Sequence, residues 1–158
     1  MENRPAKKVS ESAVDRNIHV ILPNELNYLN TIFGGVVMAE ADKIAAAVAK
    51  IHSGQICVTA LVDGFRFLAP AKLGELLIFQ AAVNRVWRNS MEIGVKVFAN
   101  NPLTNENRHI VSAYFTFVPV KDGHSTPVAY DIIPETDDEK RRYEQAELRR
   151  RRRLQVKN

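Results

Sequence analysis

A stretch of 17 residues, Gly34 to Lys50, constrains the fold more than any other part of the sequence. Six of these residues are alanine, the strongest helix former, so the stretch is predicted to be a helix. Charged side chains are scarce on nearly every side of it, which is typical of a helix that is buried all round. The rest of the chain must therefore supply a surface that covers this helix.

Five segments with the composition of β-strands accompany the helix. One precedes it, with apolar residues at alternate positions from Ile18 to Leu22. Four follow it, at residues 55–67, 75–87, 91–100 and 109–120. Their short connections predict an antiparallel sheet, and an apolar helix must bury itself against one face of such a sheet. The predicted fold class is therefore α+β, with an antiparallel sheet of about five strands wrapped around one long central helix.

The two ends of the chain differ from this body. Residues 1–12 are polar and are predicted to be a loose leader, and residues 13–133 are predicted to form the single domain. Residues 134–158 are predicted to be a polar C-terminal helix with a basic tail, because Thr136 and Glu139 form a capping box before it. Since this helix is polar nearly all round, we expect it to pack lightly or to project.

The distribution of charge argues against a nucleic-acid partner. The net charge is +4, but nine basic and six acidic residues lie in 134–158, so the body carries only +1. A nucleic-acid-binding domain usually has a basic face on its folded body. No apolar run reaches the roughly 20 residues of a membrane helix. The single cysteine, Cys57, allows no internal disulfide, which together with the polar N-terminus predicts a cytoplasmic protein.

Asp42 is the residue of the predicted central helix that most needs an explanation. An ionised carboxylate in a buried helix is costly unless it is paired or hydrogen-bonded. Gly35 lies seven residues earlier, two turns back on the same helix face. Helix N-termini offer free backbone N–H groups, so the sequence aligns a base with the parts of an oxyanion hole. Helix geometry alone leaves an equal alternative. In this alternative the Asp42 carboxylate has a purely structural role and caps a loop or pairs with an arginine.

Five motifs in order resemble one protein family. The first is Asn27-x-x-Asn30-Thr31-Ile32-Phe33-Gly34-Gly35-x-x-Met38-x-x-x-Asp42, and the others lie at residues 58–63, 67–75, 88–92 and 112–118. Over about residues 15–145 the chain is similar to the acyl-CoA hydrolase (YciA-like) branch of the hotdog-fold thioesterases. Three positions depart from the family pattern: Asn30 and Trp87 each stand where glycine is common, and Glu40-Ala41 replaces a bulkier pair.

The resemblance implies a hotdog fold and hydrolysis of acyl-CoA to free fatty acid and CoA, with no metal and no cofactor. It implies that Asp42 acts as general base or nucleophile and that the Gly35 backbone N–H forms the oxyanion hole. Asn27 would orient the carbonyl or the water, and Thr59 would hold the water or Asp42. The implied substrate-binding residues are Phe33, Gly34, Trp87, Arg88 and Ser90, with Arg88 and Ser90 at the CoA phosphates.

The resemblance also implies a homodimer whose sheets join edge to edge, with Asp42 of one chain facing loop residues of the other. Three such dimers would form a hexamer. Structural alternatives stay open: Asn27 as an Asx-turn residue, Thr59 as an ordinary strand threonine, and Arg88 and Ser90 as a solvent-facing turn. The alternative function is a non-catalytic acyl-CoA-binding sensor. A hydratase is less favoured because it would need a histidine within the helix.

Overall fold

The computed structural model of the chain describes residues 3–156, and its central element is helix α1, Gly34–Ser53. Phe33 precedes the helix in an extended conformation. Gly54 ends it in the left-handed region (φ 66°) and donates its N–H to the Lys50 carbonyl, as glycine does at helix C-termini. The predicted central helix is therefore confirmed, and it runs three residues beyond Lys50. It is not buried all round, however, because one of its faces, with Met38 and Ile51, is exposed.

The sheet consists of five long strands. These are β2 (Val14–Val20), β3 (Cys57–Phe67), β4 (Leu76–Val86), β5 (Met91–Asn101) and β6 (Glu106–Lys121). All neighbouring pairs are antiparallel, in the order β2-β4-β5-β6-β3, and the short β7 (His124–Ser125) pairs with β6. The predicted antiparallel sheet of about five strands is confirmed.

The inner face of the sheet packs against α1. Alternate residues of β5 and β6 are buried and point towards the helix: Met91, Ile93, Val95, Val97, Val111, Ala113, Phe115 and Phe117. The helix contributes small side chains with no exposed surface: Val37, Ala41, Ala45, Val48 and Ala49. Because these helix residues are small, the helix axis lies close to the strands and the core is closely packed.

The N-terminal segment differs from the predicted loose leader. Residues 6–12 are ordered: strand β1 (Ala6–Lys8) pairs in parallel with β8 (Asp131–Ile133), and a single 3₁₀ turn follows at Val9–Glu11. Val9 is only 4% exposed because its side chain joins the core. The prediction of a loose leader is therefore wrong for these residues.

The C-terminal helix α2, Asp137–Gln155, begins where the sequence predicts. Thr136 accepts a hydrogen bond from the Glu139 N–H, and the Glu139 carboxylate accepts one from the Thr136 N–H, which is a capping box. The helix does not project: it lies on the outer face of the sheet, where its contacts are mainly with β4. Within residues 3–156, no helix is both long enough and apolar enough to cross a membrane.

Candidate active site

The carboxylate of Asp42 is fixed by a strand residue. Asp42 is half-buried on α1, and the hydroxyl of Thr59, on β3, donates a hydrogen bond to its Oδ1 at 2.6 Å. The hydrogen bond to Thr59 satisfies one oxygen of the carboxylate and leaves the second available. Because Thr59 is exposed on a strand at the end of the sheet order, solvent has access to this pair.

Two aromatic rings enclose the first turn of α1. A Cβ atom on Gly35 would lie 2.6 Å from Cε1 of Phe33, and one on Gly34 would lie 3.1 Å from Cζ of Phe67. Both positions therefore require glycine if the rings are to stay where they are. Within residues 3–156, no backbone or side-chain oxygen accepts a hydrogen bond from the Gly35 N–H. This amide is therefore a free donor at the positive end of the helix dipole.

Gly35 and Asp42 are separated by a distance that suits a bound reactant. Seven residues at the helical rise of 1.5 Å give about 10 Å between their Cα atoms along the axis. Helical side chains tilt towards the N-terminus, so the Asp42 carboxylate points back along the helix towards Gly35. This spacing is too wide for direct contact between the Asp42 carboxylate and the Gly35 N–H.

Asn27 organises the loop that leads into α1. Its Oδ1 accepts hydrogen bonds from the Leu29 N–H and from the N–H and hydroxyl of Thr31, while its Nδ2 donates to the Thr31 hydroxyl at 2.9 Å. Asn30, where the family usually has glycine, has φ 57° and thus adopts the left-handed conformation that the turn requires. Within this chain, Asn27 is therefore an Asx-turn residue that does not contact Asp42.

A cleft of about 430 Å³ opens beside the first turn of α1. Its lining includes Asn27, Gly34, Phe67, Pro70 and Ile110. The cleft brings the loop residue Asn27 and the start of α1 to one cavity. Phe67 lines this cleft beside Gly34, and the sequence analysis did not name it as a candidate, although it begins one of the five motifs. Its position beside Gly34 depends on the path of β3, which no local pattern reveals.

The hairpin that joins β4 and β5 lies away from Asp42. Thr59 pairs with Phe117, which pairs with Met91, so the hairpin is two strand spacings, about 10 Å, from Thr59. The side chain of Arg88 is exposed. Ser90 lines a groove on the outer face of the sheet. The indole Nε1 of Trp87 donates to Glu147 of α2 at 2.9 Å, which fixes the ring against that helix.

The single cysteine, Cys57, is poorly suited to act as a nucleophile. Burial raises the pKa of the Cys57 thiol, although a hydrogen bond with Ser53 opposes the shift. A thiol with a raised pKa is a poor nucleophile near neutral pH. In the described part of the chain, no group of three or more His, Cys, Asp or Glu side chains is arranged to hold a metal ion.

Comparison with known proteins identifies the family. The model of the family described as "Thioesterase superfamily" matches residues 29–105. An uncharacterized acyl-CoA thioester hydrolase of Bacillus subtilis, YkhA, is 33% identical over 140 residues, which cover 88% of this chain and 80% of that protein. The chain belongs to the thioesterase superfamily. Its sheet around α1 is the hotdog fold of that superfamily, as the sequence resemblance predicts.

Two solved thioesterase structures are similar over nearly the whole chain. An apo-hexameric acyl-CoA thioesterase superposes with a TM-score of 0.92 at 36% identity and covers 96% of this chain and 97% of its own. An acyl-CoA hydrolase from Staphylococcus aureus, in complex with butyryl-CoA and CoA, superposes with a TM-score of 0.86 at 35% identity and 97% and 95% coverage. The structures of the S. aureus enzyme include variants with alanine in place of one aspartate, one asparagine or one threonine.

Proposed function

We propose that this thioesterase hydrolyses acyl-CoA to a free carboxylic acid and CoA, with Asp42 at the centre of the reaction. The similarity to acyl-CoA hydrolases over nearly the full chain supports this substrate class. The observation that carries the mechanism is the 2.6 Å hydrogen bond between Thr59 and Asp42, which holds a half-buried carboxylate at an accessible strand of the sheet.

The sequence spacing between Asn27, Asp42 and Thr59 supports the same assignment. In the S. aureus enzyme, the substituted asparagine precedes the substituted aspartate by 15 residues, and the threonine follows it by 17. Asn27, Asp42 and Thr59 have the same spacing here. We therefore assign to these three residues the roles that the motif implies: Asp42 as general base or nucleophile, with Asn27 and Thr59 in support.

The chemistry of a thioester suits this small set of groups. Its leaving thiolate has a conjugate acid with a pKa near 8.5, so the leaving group needs little assistance from an acid. The carbonyl oxygen, which becomes negative during attack, would accept a hydrogen bond from the free N–H of Gly35. One such donor contributes roughly 3 kcal/mol in well-studied oxyanion holes. Asp42 then activates a water, or attacks the carbonyl carbon itself, from the other side of the gap.

Asn27 takes part in this scheme through its amide. Its Nδ2 uses one hydrogen in the bond to the Thr31 hydroxyl, and its second contact, to the Ile32 carbonyl, is long at 3.5 Å. The second hydrogen is therefore available to a substrate carbonyl or a water in the cleft beside α1. Phe33, Gly34 and Phe67 would shape the same cleft around the thioester.

We further propose that two chains pair through β3 and that the active sites form at their interface. Only one edge of β3 is paired within the described chain, to β6, and an unpaired edge is prone to pair with another strand. Val58 and Val62 of this strand are 46% and 40% exposed, which suits burial between two chains. Pairing would bring a second copy of the Asn27 loop towards Asp42, and three such dimers would give a hexamer.

Release of free CoA from a panel of acyl-CoAs, short to long, tests the proposal. We expect Asp42→Asn, which keeps the shape of the side chain but removes the base, to lower kcat by about 100-fold or more. Thr59→Ser keeps the hydroxyl and should retain most of the activity, whereas Thr59→Val should not. Acyl-CoA binding without turnover by the wild type would favour a sensor. Turnover unaffected by Asp42→Asn would remove Asp42 from the centre of the mechanism.

A further inference from the structure

The connection between β3 and β4 is held by side chains that lie outside the candidate active site. Residues 70–75 of this connection, which we call the support loop, contain neither helix nor strand, so their backbone polar groups need other partners. Nη2 of Arg108, on β6, donates to the Pro70 carbonyl at 3.0 Å. The carboxylate of Glu75 accepts a hydrogen bond from the Lys72 N–H at 2.8 Å. One side chain thus fixes each end of the support loop.

Arg108 and Glu75 are joined to each other by two hydrogen bonds. Nη1 and Nη2 of Arg108 donate to Oε1 and Oε2 of Glu75 at 2.8 and 2.9 Å. The hydrogen bonds from Arg108 lower the pKa of the Glu75 carboxyl, although burial opposes the shift, so the carboxylate is ionised at neutral pH. Two parallel charge-assisted bonds fix the relative orientation of both groups. The support loop is therefore tied to β6 in one arrangement.

The support loop in turn holds the loop that leads into α1. The Ile32 N–H donates to the Ala71 carbonyl at 2.8 Å. Thr31 and Lys72 form an isolated antiparallel bridge. Thr31 is also the residue whose N–H and hydroxyl donate to the Asn27 side chain. A shift of the support loop would therefore move Thr31 and, with it, the Asn27 amide.

Within one chain, Arg108 is too far from Asp42 to act on it directly. Thr59, whose hydroxyl holds Asp42, pairs with Phe117 of β6. Phe117 lies nine residues after Arg108 on that strand, which at about 3.3 Å per residue is about 30 Å. The contacts described above instead connect Arg108 with Asn27.

We propose that Arg108 and Glu75 are positioning residues of the active site, which fix the support loop and thereby hold the Asn27 amide in the orientation that the reaction needs. This inference rests on the proposed function and extends it to two residues that do not touch the reactants. Orientation of a group at the reacting centre contributes mainly to the transition state, so the effect should appear in kcat and only weakly in KM.

The first test changes opposite ends of the ion pair, so that either variant suffices if the other fails to fold. Glu75→Gln keeps an acceptor for the Lys72 N–H but removes the charge, and Arg108→Lys keeps the charge but removes the second donor group. We expect each to lower kcat for acyl-CoA hydrolysis about tenfold and to change KM less than about twofold. The matched control is Glu106→Gln, because Glu106 accepts a hydrogen bond from the same arginine at 3.2 Å but lies outside the support loop. Its kcat should equal that of the wild type.

A double-mutant cycle with Asn27 separates positioning from a general loss of structure. In the Asn27→Ala background, Glu75→Gln should lower kcat by less than about twofold, because the group that it positions is already absent. In the Thr59→Val background, the same substitution should still lower kcat about tenfold, because Thr59 acts through Asp42. Every chain of a homo-oligomer carries the same substitutions, so the cycle also applies to a site that two chains share. Equal losses in the two backgrounds would overturn the proposal.

Hydrogen exchange followed by mass spectrometry provides a readout that does not depend on turnover. Contacts with the support loop protect amides of residues 26–33, among them that of Ile32. Exchange of this segment should be about tenfold faster in Glu75→Gln and Arg108→Lys than in the wild type, and unchanged in Glu106→Gln.

The two readouts distinguish failure of this inference from failure of the proposed function. Unchanged kcat or unchanged exchange in both Glu75→Gln and Arg108→Lys would overturn the positioning role, even if the chain hydrolyses acyl-CoA. Failure of the wild type to hydrolyse any thioester, with exchange that still depends on Arg108 and Glu75, would refute the proposed function and support the link between the support loop and Asn27.

Discussion

The two helices cover opposite faces of one sheet and are held there by different chemistry. On the inner face, α1 packs small apolar side chains with no exposed surface, such as Ala41 and Ala45, against the strands. On the outer face, α2 buries only one of its residues, Ala146. Its contacts with the sheet include many side-chain hydrogen bonds and ion pairs, of which the bond from Arg149 to Glu92 is the most buried.

The difference shows that the two faces of one sheet can be covered in different ways. One interface needs only apolar side chains of suitable volume, and the other needs particular charged partners. The inner interface depends on apolar area and close packing, and many apolar residues of the right volume would serve. The outer interface depends on particular partners, because a buried carboxylate such as Glu92 is tolerated only while a cation reaches it. The inner face thus gives Asp42 a rigid support, while the outer face holds Arg149 of α2 against Glu92.

The largest effect is expected where the inner face loses volume. Phe115→Ala should lower the free energy of unfolding by about 4 kcal/mol, because Phe115 is 1% exposed and packs between Phe65 and Phe117. Urea denaturation measures the loss. Phe115→Leu, which preserves much of the volume, should cost less than about 1.5 kcal/mol. A similar loss for both variants would contradict a closely packed inner face.

A slightly smaller effect is expected when the outer face loses its buried cation. Arg149→Met should cost about 3 kcal/mol, because it leaves the Glu92 carboxylate buried with Asn84 as its remaining donor among residues 3–156 and removes the guanidinium that stacks on Tyr114. Replacing both partners, in Glu92→Met/Arg149→Met, should recover most of that loss. If the double variant were no more stable than Arg149→Met alone, specific charge pairing would not be what holds α2.

The inner side of the molecule also contains a titratable group, at the C-terminal end of α1. His52 has no exposed surface, and its Nε2 contacts the Tyr130 carbonyl oxygen at 3.2 Å. Burial lowers the pKa of His52 below its ordinary value of 6.5, although the carbonyl contact opposes this shift. Below pH 6.5 the unfolded chain therefore binds a proton that the folded chain does not, so the protein loses stability as the pH falls.

Denaturation curves between pH 7 and pH 5 measure this effect. The contribution of His52 should approach about 1.4 kcal/mol per pH unit, the value for one proton. His52→Gln keeps an amide donor for the Tyr130 carbonyl but does not titrate, so its stability should depend less on pH over this range. Identical pH profiles for the variant and the wild type would mean that His52 accepts its proton in the folded state.

The elements that the sequence predicted are those whose signal is local. Alanine content identified α1, alternation identified the long strands, and the capping box at Thr136 identified the start of α2. The pairing of β1 with β8 was missed because each strand has three residues and the partners are 125 residues apart. The docking of α2 was missed because Glu92 and Arg149 each look like ordinary exposed charges until the fold brings them together.

The residues of the candidate site also divide into those that local sequence patterns predict and those that only the fold brings together. The placement of Gly35 and Asp42 on one face of α1 follows from helical spacing. The family motif adds Thr59, whose hydroxyl lies within hydrogen-bond distance of Asp42 in the structure. The contact between Phe67 and the first turn of α1 could not be predicted, because it joins a helix start to the far end of a strand. For the same reason, no pattern predicts that Ser90 and the arginines of α2 line one groove.

The smallest effect is expected at the solvent-facing side of α2, where the charges touch no buried partner. Arg151 is 69% exposed and pairs with Glu147 one helical turn earlier, so Arg151→Ala should change the free energy of unfolding by less than about 0.5 kcal/mol. Raising the salt concentration should abolish even that difference, because exposed pairs are screened, whereas the loss in Arg149→Met should persist. Denaturation at low and high salt therefore separates the two kinds of arginine on one helix. A large, salt-insensitive loss in Arg151→Ala would mean that α2 is held by its whole charge pattern, and that the buried pair with Glu92 has no special part in its docking.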